Sequence, residues 1–352
     1  MIETIRRWLR LPPRVPKVPA AAGPGAARSR RWLRSASIVL VALLLGFWAV
    51  GFWWSREPKP LYVNDKTPDG RVITGYATVD TLTRTLHWLL EKPGGYLYND
   101  VMPPGVWLDN MPSFEFGVLV QCRDLARVMR QSYSRSQSQS VEDRDLIVAE
   151  PDLNFTNDRW ILPSTESKYR EAYRALESYR ARLIANPADA QFFARADNLS
   201  EWLASVEGRL GSLSQRLAAS VGQIRVNTDV ALAAQPPASS GERVDAPDVI
   251  VKTPWLEIDD VFYEARGTAW ALLIFLRAAQ FDFERVLNDK NAVASLRQII
   301  RELEEALAPV TSPMILNGQG FGMFPNHSLV LASYLSRAHS AVIDLRELLE
   351  RG

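Results

Sequence analysis

The chain is poor in the residues that build covalent staples and metal sites. It has one cysteine, Cys122, in 352 residues, so no disulfide can form within it. Cys122 lies in the apolar run Phe116-Gly-Val-Leu-Val-Gln-Cys122, with no Lys or His beside it, and is expected to be a small buried hydrophobe. Histidine is scarce too: His87, His327 and His339 are scattered, with no His-Glu-x-x-His and no Cys/His spacing. That argues against a metal site, and no cofactor is implied. No Gly-x-Ser-x-Gly elbow and no phosphate loop ending in Gly-Lys-Ser/Thr occurs, so serine and nucleotide hydrolysis lose their usual signatures. Net charge is nearly absent as well, 41 Lys+Arg against 40 Asp+Glu, which argues against a nucleic-acid partner.

The small total hides an asymmetry. Residues 1–34 hold nine basic residues and one acid, net +8, which leaves −7 on the remainder. Between Arg34 and Arg56 lie 21 uncharged residues, 35–55, ending in Phe52, Trp53, Trp54 and Ser55. As a helix this run spans about 30 Å, the thickness of a bilayer core, and its terminal aromatics suit the interface. A cleaved signal peptide is the competing reading, with Ala49-Val-Gly51 as a small-x-small site. The run is longer than a signal peptide's apolar region, and bulky aromatics follow it, so an uncleaved signal anchor is expected. The positive-inside rule then puts residues 1–34 in the cytoplasm and the rest outside. The head is rich in Pro, Ala and Gly and is expected to be disordered, with its arginines near lipid headgroups.

Beyond Arg56 the pattern is helical. Residues 56–75 read as an extended, turn-rich stem with Thr67-Pro-Asp-Gly70 as a turn. A helix is expected from about Thr78 to Pro93-Gly94-Gly95, and another from Asn110 or Ser113 to about Arg130. Ser132–Ser140 reads as a solvated loop, followed by a short helical piece at Val141–Ala149. Ser164 or Thr165 opens a helix with Tyr169, Ala172, Leu176, Tyr179 and Leu183 on one face; Asn186-Pro187 ends it and caps the next. That next helix carries a heptad seam, Leu199, Leu203, Val206, Leu210, Leu213 and Leu217. The segment 221–254, with Pro236-Pro237 and Ser239-Ser240-Gly241, is the best linker candidate. It separates helical portions at 56–220 and 255–352, or forms a long loop in one bundle. Helices near 257–287, 289–307 and 327–350 follow, and the strongly apolar 269–276 marks a central core helix. No strand pattern of length appears. The expected fold is all-α: one N-terminal transmembrane helix, then an antiparallel helical bundle.

Two loops group polar and aromatic residues. The first places Asp100, Asp109 and Glu115 near Trp107 and Asn110. Acids among exposed rings are what glycan chemistry uses, one to protonate, one to stabilise or activate water, and rings to stack on sugars. The structural alternative has Trp107 and Met111 plugged into the bundle while Asp100 and Asp109 cap turns and helix starts. The second loop, Asn317 to His327, has glycines before a helix, as an anion nest does. Its structural alternative packs Phe321 and Phe324 on the bundle, caps the last helix with Asn326, and leaves His327 in the first turn.

Several unusual phrases carry a family resemblance. They include Lys92-Pro-Gly-Gly-Tyr96, Asn99-Asp-Val-Met-Pro-Pro-Gly-Val-Trp-Leu-Asp-Asn-Met-Pro112, Ser134-Arg-Ser-Gln-Ser-Gln-Ser140 and Gly320-Phe-Gly-Met-Phe-Pro-Asn-His-Ser328. Over about residues 40–350 the chain resembles a proteobacterial family of uncharacterised membrane proteins, domain of unknown function 2333. The resemblance implies a single-pass inner-membrane protein with its C-terminal body in the periplasm, and supplies no catalytic residues. Two functional expectations result. The first is a non-enzymatic binding or scaffold protein of the envelope, touching membrane lipid through its anchor and basic head and an envelope protein through its bundle. The second is a glycan or peptidoglycan binder or hydrolase that uses the loop carboxylates. A small-ligand sensor is a minor third.

Overall fold

The computed structural model describes residues 24–136, 141–186, 189–226, 248–310, 312, 314–317 and 325–351. The chain divides into two compact units, Met1–Val50 and Gly51–Gly352. Helix α1 (Pro24–Trp54) makes up the described part of the first and ends in the second. Its stretch Arg34–Trp54, 21 residues with a mean hydropathy of 2.2, is long and apolar enough to cross a membrane.

Among the described residues, the regular elements of the second unit are helices, apart from one short hairpin. In order it holds α2 (Tyr76–Glu91), a 3-10 turn at Gly105–Trp107, α3 (Asn110–Val128), α4 (Leu146–Leu153), α5 (Thr165–Ala185) and α6 (Ala196–Ala218). After them come β1 (Gln223–Val226), β2 (Asp248–Val251), α7 (Ile258–Asp282), α8 (Glu284–Asp289), α9 (Val293–Ala306) and α10 (His327–Glu350). The strands pair antiparallel, Gln223 opposite Val251 through Val226 opposite Asp248. They stand at the two ends of the expected linker, where the β-branched Ile224, Val226, Val249, Ile250 and Val251 suit extended backbone. The middle of that linker, 227–247, lies outside the described residues.

Helix α7 is the axis of the body. Every residue from Ala269 to Leu276 is buried, as a helix apolar on all sides requires. It packs against α2, α3, α6, α9 and α10, so helices from both sides of the 227–247 stretch share one core. The heptad seam of α6 is buried along its length and meets α10, whose Leu331, Leu335, Ala338, Val342 and Leu345 form the facing stripe. Helix α5 turns its Tyr169, Leu176, Tyr179 and Leu183 inward and packs against α2 and α4. Ser164 caps it, its hydroxyl accepting from the Ser167 amide at 3.3 Å.

Helices α3 and α7 approach each other closely. A Cβ on Gly117 would lie 2.1 Å from the Glu264 carbonyl oxygen, and one on Gly267 would lie 2.0 Å from the Phe114 carbonyl oxygen. Each glycine thus lets the other helix's backbone into the space a side chain would occupy.

Three local expectations need correction. Asn186-Pro187 does not cap the next helix, which begins at Ala196 after Arg195. The intervening chain buries Ala190 and Phe192, and the Phe193 amide donates to the Tyr133 carbonyl at 2.7 Å. The polar run from Ser132 is not all loop: α3 continues as a π-turn, Met129–Tyr133, and Tyr133 is buried against Phe192 and Phe283. Residues 137–140 of that run lie outside the described residues. The helix expected over 257–287 breaks at Phe283, whose ring is held in that same aromatic cluster while the backbone turns into α8.

Substituting Gly117→Ala or Gly267→Ala is expected to cost about 1–3 kcal/mol or more, by forcing α3 and α7 apart. Gly208→Ala is the control: a Cβ there meets nothing within 4 Å on the exposed face of α6. That change is expected to stabilise by about 0.5–1 kcal/mol, and thermal unfolding of the three variants checks both signs.

Candidate functional site

The first loop begins where α2 stops. Lys92, Gly94 and Gly95 reverse the chain, with positive φ at both glycines. Gly94 is needed for a second reason: its missing Cβ leaves room for the Trp54 indole, which would otherwise lie 2.7 Å away. The chain then runs through Tyr96 and Leu97, both buried, towards the 3-10 turn and α3.

The three acids of this loop go to three different environments. Glu115 is fully buried on α3. It pairs with the buried Lys92 at 2.5 Å and accepts the Leu97 amide at 3.0 Å and the Tyr98 amide at 3.1 Å. Burial pushes its carboxyl up to about 7, against the pull of Lys92 and the two amides. Asp100 is half-buried beside Gly105, and burial, followed by the nearby Glu166, raises its pKa. Asp109 is exposed and accepts from the Asn110 amide at 2.9 Å, at the start of α3. Asn110 is the first residue of that helix and half-exposed. Hence the cap is Asp109, not Asn110 or Ser113. Ser113 instead donates to Asp260 of α7 at 2.9 Å. Met111 is buried as expected, but Trp107 is not plugged into the bundle; it is 58% exposed.

In the second loop Asn317 bridges to Asn326 as an isolated antiparallel pair. The Asn326 side chain caps α10, accepting the Leu329 amide at 2.8 Å. His327 Nδ1 accepts the Leu316 amide at 3.0 Å, and desolvation lowers its pKa. The imidazole therefore serves as an acceptor that closes the loop. Phe321 and Phe324, with the glycines of the proposed nest, lie outside the described residues. The two loops border the same end of α7: Asp260 meets Ser113, and the Phe262 ring stands 6.5 Å from the His327 ring.

Chemically, this arrangement fastens the chain and does not present it. Two carboxylates that cleave a glycosidic bond must face one open cleft about 5–9.5 Å apart. Glu115 is sealed in the core, Asp100 is half-buried, and Asp109 is exposed and accepts an amide at a helix start, so the three acids stand in three separate environments. A polar hollow elsewhere, about 240 Å³ between Asp143, Arg182 and Asp189, is likewise engaged. Arg182 there already holds Asp143 and Asp145, each at 2.6 Å. Among the described residues, no three His, Cys, Asp or Glu side chains stand together as a metal-binding group.

Sequence reasoning missed the polar groups that organise this region. Lys92 is one; nothing local connects it with Glu115, 23 residues away. Arg266 is another, and here a signal existed, because it interrupts an apolar helix. It is buried and meets Glu57 at 2.6 Å and the Ala306 and Ala308 carbonyls, each at 3.1 Å. Asp282, at the far end of α7, accepts the Gly75 amide at 2.8 Å and the Thr78 amide at 2.7 Å, capping α2 from outside. Burial raises its pKa to about 6. Cys122 is buried, and its thiol pKa is raised by burial.

Glu115→Gln strands the Lys92 charge in the core and is expected to cost about 3–5 kcal/mol, whereas Lys92→Met with Glu115→Leu is expected to recover most of it. Urea unfolding of single and double variants measures this; an equal loss in both would refute the pairing argument. For Asp282 the sign follows from its raised folded-state pKa. Between about pH 4 and pH 6 the folded chain binds a proton that the unfolded chain has released. Wild-type stability, relative to Asp282→Asn, is therefore expected to fall as pH rises through that window. Unfolding curves of both proteins at the two ends of the window check the direction.

No curated protein and no solved structure matches the chain. A family model described as an uncharacterized protein conserved in bacteria (DUF2333) matches residues 27–352, and the chain belongs to that family.

Proposed function

We propose that this is a bitopic inner-membrane protein whose helical body lies in the periplasm and acts by binding, as an envelope scaffold and not as an enzyme. One observation carries the reading: the only described helix apolar enough to span a bilayer, Arg34–Trp54, stands between a head of net +8 and a body of net −7. Moving eight positive charges across the membrane is the costlier topology, so the head stays in the cytoplasm. The body has no need of a disulfide, since a single core of this size is stable without one.

Support for the non-enzymatic part comes from where the polar groups are spent. The acids nearest the aromatic loop are an interior ion pair, a half-buried carboxyl and a helix cap. The hydrolase reading needs at least two of them free towards a substrate. What the body offers instead is a broad helical surface with many crossed ion pairs, such as Arg209–Asp124 at 2.9 Å and Arg216–Glu264 at 2.7 Å. Such a surface keeps its shape and suits a protein or glycan partner.

Topology is the first test. Alkaline phosphatase fused after Gly352 is expected to be active in cells, and a fluorescent protein fused there after Sec export is expected to be dark. The reverse pattern would overturn the orientation. Periplasmic crosslinking of the full chain is then expected to recover an envelope protein or a glycan, and capture of neither would remove the scaffold reading.

A further inference from the structure

The body exposes its large apolar side chains unevenly. Three strips stand out, and side-chain and backbone contacts tie them to one end. The first lies between Asp100 and α3, where Met102 is 73% exposed and Val106 and Trp107 are also exposed. This strip adjoins the point where the chain enters the unit. A Cβ on Gly51 would lie 3.5 Å from both Leu108 and Pro104, and Trp54 packs over Gly94 at the base of the same loop. The second strip is Trp160, Ile161 and Leu162, with Leu162 88% exposed. It is joined to the first through Asn99, whose side-chain amide donates to the Arg159 carbonyl at 2.8 Å. The third is Trp255 and Leu256, 76% and 78% exposed, immediately before α7. The first turns of α7 and α3 are linked by the Ser113–Asp260 hydrogen bond.

A soluble surface scatters its exposed hydrophobes singly, and a contiguous group marks a place where water is excluded by something else. Tryptophan with aliphatic neighbours is the composition that settles at a bilayer interface. We propose that this end of the body is a lipid-contacting foot, which inserts Met102, Val106, Leu162 and Trp255 among the headgroups of the leaflet from which α1 emerges. The proposal rests on the reading of α1 as a membrane span. Phospholipid is chosen over a protein partner because the first strip is continuous with Gly51 and Trp54, the last residues of that span. The attraction is apolar burial and not headgroup charge, since the acids Asp109, Asp259 and Asp260 border the strips and disfavour anionic lipid. The foot holds on the membrane the end of the body where α7 begins; the 25 residues of α7 extend about 37 Å to its other end.

The test uses the full-length chain in vesicles of phosphatidylethanolamine and phosphatidylglycerol. Single cysteines are introduced by Met102→Cys, Leu162→Cys, Leu44→Cys and Asn288→Cys, and labelled with an environment-sensitive fluorophore. The buried Cys122 stays unlabelled, which the unsubstituted chain checks. Leu44 lies within the span and reports the anchor. Asn288 is exposed on α8, beyond the far end of α7, and reports solvent. Labels at 102 and 162 are expected to emit at shorter wavelength and to be quenched by spin-labelled lipid at least about twofold more than the label at 288. Quenching is expected to weaken as the anionic fraction rises. If 44 is quenched while 102 and 162 behave as 288 does, the foot falls and the membrane span stands. If 44 is not quenched either, both fall. A shift at 102 and 162 without lipid quenching means a protein surface covers the strips, which also overturns the proposal.

Discussion

The body depends on how closely α3 and α7 approach. Gly117 and Gly267 remove two side chains at the crossing, and the carbonyls of Glu264 and Phe114 fill the space. Because the two backbones touch, the residues on either side must mesh: Phe114, Trp270 and Trp88 form one aromatic cluster across the crossing. Close packing in a protein interior transmits such a constraint outward. Helix α7 is held centrally, α2 and α9 take its remaining faces, and α6 with α10 closes the outside. The polar contacts Ser113–Asp260 and Thr268–Gly117 span the same pair of helices at 2.9 Å and 3.5 Å.

Charge is the second constraint, and it works against the first. Bringing helices this close carries Lys92, Glu115, Asp124, Asp80 and Arg266 out of water. Each is compensated within the body. Asp80 receives Arg180 and the Asn64 amide at 3.0 Å, and Asp124 receives Arg209 and Arg127. Pairs of this kind add little net stability, but breaking one is costly, so they act chiefly to fix which surfaces meet. They also consume the carboxylates that a sequence reader would nominate for chemistry. Glu115 shows this most clearly: its position in an aromatic loop suggests a reacting acid, and its contacts make it an interior clamp.

Helical periodicity was legible because it is a local property. The stripes of α5, α6 and α10 and the all-apolar stretch of α7 appear in the sequence in the order in which they are buried. The anchor-like run 35–55 was equally plain from composition. Errors fell where tertiary contacts decide. Phe283 looks like one more residue of a long helix, yet a ring cluster with Tyr133 and Phe192 bends the chain there. Tyr133 sits in a serine-rich run that reads as solvated, and a π-turn directs it inward. At the candidate site Asp109, Asn110 and Asn326 were placed near helix starts by their residue type alone. The environment of Glu115 was not, because its partner Lys92 comes from another element and a pairwise contact leaves no periodic trace.

The stem keeps the extended, turn-rich course read from its sequence, and the way it is fastened reveals how the body is built. Residues 56–75 carry prolines and the Thr67–Gly70 turn and form no helix or strand. In the structure they are fastened along their length. Glu57 closes on Arg266, Arg84 donates to the Tyr62 carbonyl at 2.5 Å, Val63 is buried, and the Thr67 hydroxyl accepts the Arg71 amide at 3.1 Å. Proline-rich backbone is irregular, but irregular backbone is not free backbone when its side chains have buried partners. The price of ordering such a segment is recovered only if its fixed position matters. Here the fixed position puts Gly51 and Trp54 against the Gly94–Leu108 loop, so the body's first residues and a loop with exposed apolar side chains are held together by packing rather than by chance proximity.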